Sequence, residues 1–305
     1  MAGSQDYASD PRNDHVLVYV NGELVARDQA KVSIFDAGFS MGDGVWEGLR
    51  LHKGRLLFLQ AHLDRLFEGA AAIGLTGLDR GRIETALRRT LRANGMTDGV
   101  HVRLMVTRGV KATVNQDPRN ALGGPSVVIT AEYKTRAAAP PGAGLRLATA
   151  SIRCTGRQMF DMRLNSHSRL NLITALIEAI AAGADEALML DPRGKISTCN
   201  ATNFFFVEGG EVFTSTGDYC FNGITRGHII SLCRANAIAI RLGAFDLDRA
   251  HAADEAFVTG TLGGVTPVRQ IDGHALAASP GAVTLHLTAL YEALKDAEAA
   301  RSEPL

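Results

Sequence analysis

Four short turn signals, each set between apolar stretches, constrain this chain to sheet built largely from hairpins. Asn21-Gly22 follows the apolar run His15–Val20, and both central positions of so tight a turn need φ > 0, which Asn and Gly tolerate. Lys53-Gly54, Pro192–Gly194 and Gly209-Gly210 repeat the arrangement. Helical periodicity fills the gaps. Leu63, Leu66, Phe67 and Ala70 recur at i, i+3, i+4 and i+7, and Ile83, Leu87 and Leu91 mark a second helix closed by Asn94-Gly95. Leu170–Ala182 reads as a helix stopped at Gly183, Thr225 as the N-cap of a helix through Asn236, and Val283–Ala297 as a closing helix. Val102, Leu104 and Val106 alternate as a half-buried strand, which puts Arg103 on the opposite face. Ser126–Ala131, Leu145–Ala150 and Ala256–Thr259 read as further strands. Hairpins without a regular strand–helix–strand alternation predict two α+β domains. The boundaries expected are a flexible tail over 1–14, a smaller domain over 15–134, a Pro-, Gly- and Ala-rich linker over 135–144 and a larger domain over 145–305.

Composition narrows the function classes. A chain of 305 residues has length for two domains of about 150 residues. With 46% hydrophobic and 21% charged residues, wholesale disorder is excluded. Lys+Arg and Asp+Glu balance at 32 each, so no net positive charge draws nucleic acid or an acidic membrane. Arg88, Arg89 and Arg92 read as a solvated helix face. No run of 18 apolar residues suggests a membrane span, and the polar start MAGSQDYASDPRND does not read as a signal peptide. Cys154, Cys199, Cys220 and Cys233 show no C-x-x-C spacing, which argues against a disulfide framework or a metal site and for a cytoplasmic setting.

The segment Gly38–Arg50 (GFSMGDGVWEGLR) holds four glycines but fits neither G-x-G-x-x-G nor the P-loop, so its glycines read as turns and close backbone contacts. Neither G-x-S-x-G nor H-E-x-x-H occurs. Three features suit an anion. Gly223-Ile224-Thr225-Arg226 opens a helix, whose N-terminus offers unpaired N–H groups and partial positive charge. Gly260-Thr261 offers backbone plus hydroxyl after a strand, and Arg65 offers a guanidinium fork. Two have plainer readings: the helix start as an ordinary cap, and Arg65 as a salt bridge to a neighbouring helix residue.

Taken in order, DAGFSMGDGVWEGLR, HLDRLFEGA, HVRLMVTRG, NFFFV, NGITRGHII and EAFVTGTLGGVTPV resemble the class IV aminotransferases, from about Val16 to the last helix. These are the fold-type IV pyridoxal-phosphate enzymes: branched-chain and D-amino acid aminotransferases, (R)-amine transaminases and aminodeoxychorismate lyase. The resemblance implies a two-domain D-amino acid aminotransferase-like architecture, a cofactor cleft between the domains, a small-molecule substrate and a homodimer. It makes Arg65, Ile224, Thr225, Gly260 and Thr261 the phosphate cup. It places Phe39, Met41, Trp46 and Arg103 toward the substrate, with backbone groups of Leu262 and Gly263 able to hold a carboxylate.

Two departures stand out against that family. Its chemistry needs a lysine that forms a Schiff base with the cofactor and moves a proton. Counting back from Gly183 on the D-amino acid and (R)-amine pattern lands on Asn165, and no lysine lies between Lys134 and Lys195. The pyridine partner, a glutamate in the family's E-x-x-x-x-N-aliphatic-F run, is Thr198 here, and a hydroxyl cannot match that charge. His167 is the titratable group beside Asn165 that works near neutral pH, as an acid–base or as a structural imidazole paired with a carbonyl. Cys199 is a nucleophile or a buried, unreactive thiol. The expectation is an enzyme with Asn165, His167 and Thr198 at its reactive positions and a retained cup. It would hold pyridoxal phosphate non-covalently or work without it. A conventional aminotransferase with its lysine substituted, and a non-catalytic ligand-binding protein, are the alternatives.

Overall fold

The computed structural model describes residues 3–4, 7–135 and 144–305. Most of the expected linker, 136–143, therefore lies outside the described residues. Two compact units divide the chain, and each is a mixture of helices and sheet. The N-terminal unit takes Ala8–Thr135, Leu164–Ser168 and Lys295–Leu305; the C-terminal unit takes the other described residues. That division differs from the expected one. The short stretch carrying Asn165 and His167 belongs to the N-terminal unit, because its hydrogen bonds go there.

In the N-terminal unit the strands are β1 (Leu17–Val20), β2 (Glu23–Ala26), β3 (Gly44–His52), β4 (Arg55–Leu56), β5 (Val100–Thr107) and β6 (Ser126–Tyr133). They form one antiparallel sheet in the order β2-β1-β6-β5-β3-β4. Asn21 and Gly22 both take positive φ, 48° and 106°, as the tight turn requires. Helix α1 (Ala37–Met41) precedes β3, while α2 (Leu59–Ala72) and α3 (Arg80–Ala93) supply the apolar stripes. Leu63, Leu66, Leu87 and Leu91 meet Leu49, Leu51, Val102 and Leu104 in one core. Burying each such leucine contributes about 1.5–3 kcal/mol. Arg103 lies on the other face of β5, as the alternation predicts. Of the α3 arginines, Arg89 and Arg92 are exposed, as expected of a solvated face, while Arg88 is half-buried, pairing with Glu84 and donating to the Pro304 carbonyl.

In the C-terminal unit the strands are β7 (Leu145–Thr149), β8 (Glu186–Leu190), β9 (Ile196–Cys199), β10 (Asn203–Glu208), β11 (Glu211–Ser215), β12 (Ile240–Gly243), β13 (Glu255–Gly260), β14 (Gly264–Ile271) and β15 (His274–Ala275). Its helices are α4 (Leu170–Ala181), α5 (Ile224–Ala235), α6 (Leu247–His251) and α7 (Ala282–Arg301), the last ending in the N-terminal unit. The sheet is mixed, in the order β12-β11-β10-β13-β14-β7-β8-β9 with β15 beside β14. Three consecutive phenylalanines are buried because both faces are covered. Phe204 and Phe206 pack with Phe213 and Phe245 on one face, and Phe205 stacks on Phe257 at 4.9 Å on the other.

Two local expectations are corrected. Residues 8–14, placed in a flexible tail, carry most of a 3₁₀ turn, Pro11–His15, capped by Asp10, and Asn13 bonds both the N–H and the C=O of Tyr133. Ser4 is buried on Glu186. Thr225 is not an N-cap but lies in the first turn of α5; Gly223 is the cap, since a Cβ there would meet Asn203 Oδ1 at 2.4 Å. No helix among the described residues is long and apolar enough to cross a membrane, and no described group of His, Cys, Asp and Glu is arranged to hold a metal.

Candidate functional site

The glycines of the Gly38–Arg50 segment make room for residues 164–168. Gly42 caps α1 at φ 68°, a left-handed conformation that suits glycine. At Gly44 a Cβ would lie 2.4 Å from the Val106 carbonyl and 2.9 Å from the His167 ring. Through this gap the segment docks on the start of β3. Trp46 N–H donates to Asn165 C=O and His167 N–H to Gly44 C=O, both at 2.9 Å. The side chains join in: Asn165 Nδ2 donates to the Trp46 carbonyl at 2.5 Å, and Trp46 Nε1 to the Ser166 carbonyl at 3.1 Å. His167 Nε2 sits 3.2 Å from the Val45 carbonyl, the plainer of the two arrangements open to it. The Asn165 amide is buried.

Across the sheet face from this edge, the Arg103 guanidinium lies 3.9 Å over the Trp46 ring, a cation–π contact. Burial lowers the Arg103 pKa, with Glu132 opposing. His101, two residues earlier in β5, is pushed down to about 3 by burial and by Lys134, Arg103 and Arg50, so it is neutral at ordinary pH. Phe39 and Met41 lie on α1, with Phe39 70% exposed.

Arg65 pairs with a carboxylate on strand β3. Its Nε and Nη2 each approach a Glu47 carboxylate oxygen at 2.7 Å, and His62 Nδ1 lies 2.6 Å from Glu47 Oε2. Glu47 is completely buried. Burial alone would raise its pKa, but the Arg65 and His62 bonds outweigh that and hold it below the ordinary value. Burial lowers His62 in turn.

The remaining candidates gather in the C-terminal unit. No side chain caps α5, so its first N–H groups keep their anion-binding capacity. Buried Thr225 Oγ1 lies 3.3 Å from the Tyr291 hydroxyl of α7. The Tyr291 ring also lies 3.4 Å from where a Cβ on Gly264 would sit, which ties Thr225 to the turn Gly260-Thr261-Leu262-Gly263-Gly264. Burial raises the Tyr291 pKa and keeps its hydroxyl protonated. Thr259, just before that turn, has a buried hydroxyl with no hydrogen-bond partner among the described residues. Thr198 Oγ1 donates to the Thr202 carbonyl at 2.8 Å and lies 3.4 Å from Asn203 Nδ2, and Asn203 Oδ1 accepts from Gly223 N–H. Cys199 is buried, which pushes its thiol well above the usual value and leaves it inert.

The expected phosphate residues are thus divided: Ile224, Thr225, Gly260 and Thr261 lie in the C-terminal unit, while Arg65 belongs to the N-terminal one. Glu47, His62, Tyr291 and Thr259 escaped the sequence reading. Glu47 had left a signal, since it stands in register with Val45, Leu49 and Leu51, and a carboxylate on a core face demands a cation.

Pyridoxal phosphate fits one end of this residue set. The uncapped α5, the Thr225 hydroxyl and the unpartnered Thr259 hydroxyl suit a phosphate. At the positions expected to be reactive, the docked 164–168 segment carries no amine and Thr198 spends its hydrogen on the Thr202 carbonyl.

Comparison with known proteins agrees with the motif order. The family model for amino-transferase class IV matches residues 44–271. Branched-chain-amino-acid aminotransferase-like protein 2 of Arabidopsis thaliana is 39% identical over 94% of this chain, and a putative branched-chain-amino-acid aminotransferase of Methanocaldococcus jannaschii 34% over 85%, covering 89% of its own length. The chain spans about half the length of the two Arabidopsis relatives it matches. The branched-chain aminotransferase of the thermophilic archaeon Thermoproteus uzoniensis, solved with norvaline, superposes with a TM-score of 0.84 at 29% identity, covering 93% of this chain and 96% of that one. The branched-chain amino acid aminotransferase of Escherichia coli gives 0.82 at 25%, covering 93% and 95%, and a further enzyme of that name was solved with pyridoxamine 5'-phosphate. With the motifs, the fold and the relatives in agreement along nearly its whole length, this chain belongs to the class IV aminotransferase family.

Proposed function

We propose that this chain is a class IV aminotransferase-like enzyme that retains the phosphate cup and acts on a small, anionic substrate without a covalent lysine–cofactor link. The carrying observation is the combination of an uncapped, hydroxyl-lined α5 N-terminus with a docked 164–168 segment that contains no lysine. Pyridoxal phosphate, held non-covalently, would supply an electron sink; the enzyme working with no cofactor is the limiting case. The chain's own groups do the rest. The Thr225 hydroxyl, which either donates to or accepts from Tyr291, can turn its hydrogen to an anion oxygen, and the amides of Ile224 and Thr225 add to it, as do Gly260 and Thr261; in the N-terminal unit the Arg65 guanidinium offers an anion contact of its own. Arg103, Trp46, Phe39, Met41 and Leu262 orient the substrate. His167 moves the proton, and Asn165 and Thr198 act as neutral hydrogen-bonding groups. A turnover screen of amino and keto acids, with and without pyridoxal phosphate, tests this. Activity independent of added cofactor supports the limiting case, and activity that requires it supports the non-covalent form.

A second reading has one observation in its favour. The bond from His167 to the Val45 carbonyl suits a structural imidazole, and hence a protein that binds a phosphorylated ligand without turning it over. No turnover in the screen would favour it. We also infer a homodimer in a cytoplasmic setting. Leu170, Ile173, Ile177 and Ile180 form an exposed apolar stripe along α4, 52–76% exposed, a surface that marks association. Light scattering at the monomer mass would refute that part.

A further inference from the structure

We propose that Glu47 is a positioning residue for anion recognition: it clamps the Arg65 guanidinium by one edge, and His62 holds the clamp. The inference rests on the reading of Arg65 as a phosphate ligand and says what makes it an effective one.

Helix α2 presents His62 and Arg65 one turn apart, on the side that meets β3. Strand β3 presents Glu47 from its core-facing register. Three donors, Arg65 Nε, Arg65 Nη2 and His62 Nδ1, converge on two carboxylate oxygens within 2.6–2.7 Å. Glu47 has no exposed surface, so water offers its charge no alternative partner. The fork therefore holds wherever the unit is folded. It uses the Nε–Nη2 edge of a planar group. The Arg65 side chain keeps 17% of its surface exposed, so the guanidinium is fixed without being sealed off. A long, flexible side chain is thus ordered by folding and not by the ligand, which is the usual source of preorganised affinity. The carboxylate also cancels the guanidinium charge, so recognition by this pair depends on the aim of the N–H groups more than on charge. Lysine keeps the charge and loses the two-point fork.

Isothermal titration of the full chain tests this, with inorganic phosphate and pyridoxamine 5'-phosphate as probes and unphosphorylated pyridoxamine as control. Glu47→Gln can accept at one oxygen only and strands at least one of the three donors. We expect Glu47→Gln and Arg65→Lys each to weaken both phosphorylated probes at least tenfold, with pyridoxamine changed less than twofold. Trp46, the single tryptophan and next to Glu47, reports by fluorescence whether the unit has folded. If Glu47→Gln fails to fold, Arg65→Lys carries the test, since it leaves Glu47 a cation. Wild-type binding of both phosphorylated probes by Arg65→Lys, or by folded Glu47→Gln, overturns the inference. Arg65→Ala separates the layers. If it too binds like wild type, Arg65 is no phosphate ligand and the underlying reading fails. If it alone weakens binding, that reading stands and the positioning role falls.

Discussion

Replacing Thr225 with valine removes one hydroxyl and almost no volume, so it separates the anion role of this residue from its packing. Thr225 is 3% exposed, and its Oγ1 lies 3.3 Å from the Tyr291 hydroxyl, a long contact. A neutral hydrogen bond contributes about 0.5–1.5 kcal/mol, and this one belongs at the low end. About 0.5 kcal/mol shifts the melting temperature of a chain this size by roughly 1–2 °C. The ligand sees a larger loss. A hydrogen bond to a charged oxygen contributes about 1.5–3 kcal/mol, which converts to roughly 10- to 150-fold in affinity. The valine variant should therefore melt within about 2 °C of wild type while losing at least tenfold affinity for pyridoxamine 5'-phosphate, and its affinity for pyridoxamine should be unchanged. Calorimetric titration and a thermal melt read both quantities. Equal losses for the two ligands, or none for the phosphorylated one, would refute the assignment of Thr225 to a phosphate.

If His167 moves a proton, His167→Ala should lower turnover by about 10²–10⁴ with little change in melting temperature; a lower melting temperature with turnover intact would assign it to the Val45 carbonyl alone. Asn165→Lys should restore a yellow, reducible cofactor adduct, and adding Thr198→Glu should then raise transamination; a double variant that binds no cofactor would show that position 165 is misaligned with the family lysine. His101 is neutral in the fold down to about pH 3 but titrates near 6.5 when unfolded. Between these values the unfolded chain binds the extra proton, so stability is highest above about pH 6.5 and falls as the pH drops toward 3. Melts from pH 7 to 4 should show a shallower fall for His101→Gln, and an identical slope would contradict the buried neutral imidazole.

What the sequence revealed follows from the range of its signals. The alternation Val102, Leu104, Val106 and the Asn21-Gly22 turn depend on near neighbours, and both appear as expected. Strand β14 is hidden in the sequence because Gly263-Gly264 and Pro267 look like loop, yet Pro267 pairs with Phe257 inside the sheet. The cap of α5 lies two residues before Thr225 because it must be a glycine, for want of space beside Asn203. The seat of Asn165 and His167 is not legible, since their partners at Gly44–Trp46 lie about 120 residues away and the docking depends on a gap that only a missing Cβ creates. Arg65 stands out in the sequence, but its fork to Glu47 joins a helix to a strand, and helical spacing alone cannot show it.

The claim that this chain works without a covalent lysine–cofactor link can be tested on the chain itself. The protein is equilibrated with pyridoxal phosphate, reduced with borohydride, weighed intact, digested and mapped. Candidate amines are Lys31, Lys53, Lys111, Lys134, Lys195 and Lys295. The account predicts an unchanged intact mass and no lysine carrying a stoichiometric pyridoxyl group, together with measurable non-covalent binding before reduction. One pyridoxyl group per chain on a single lysine would contradict it and identify the amine that replaces the family's own.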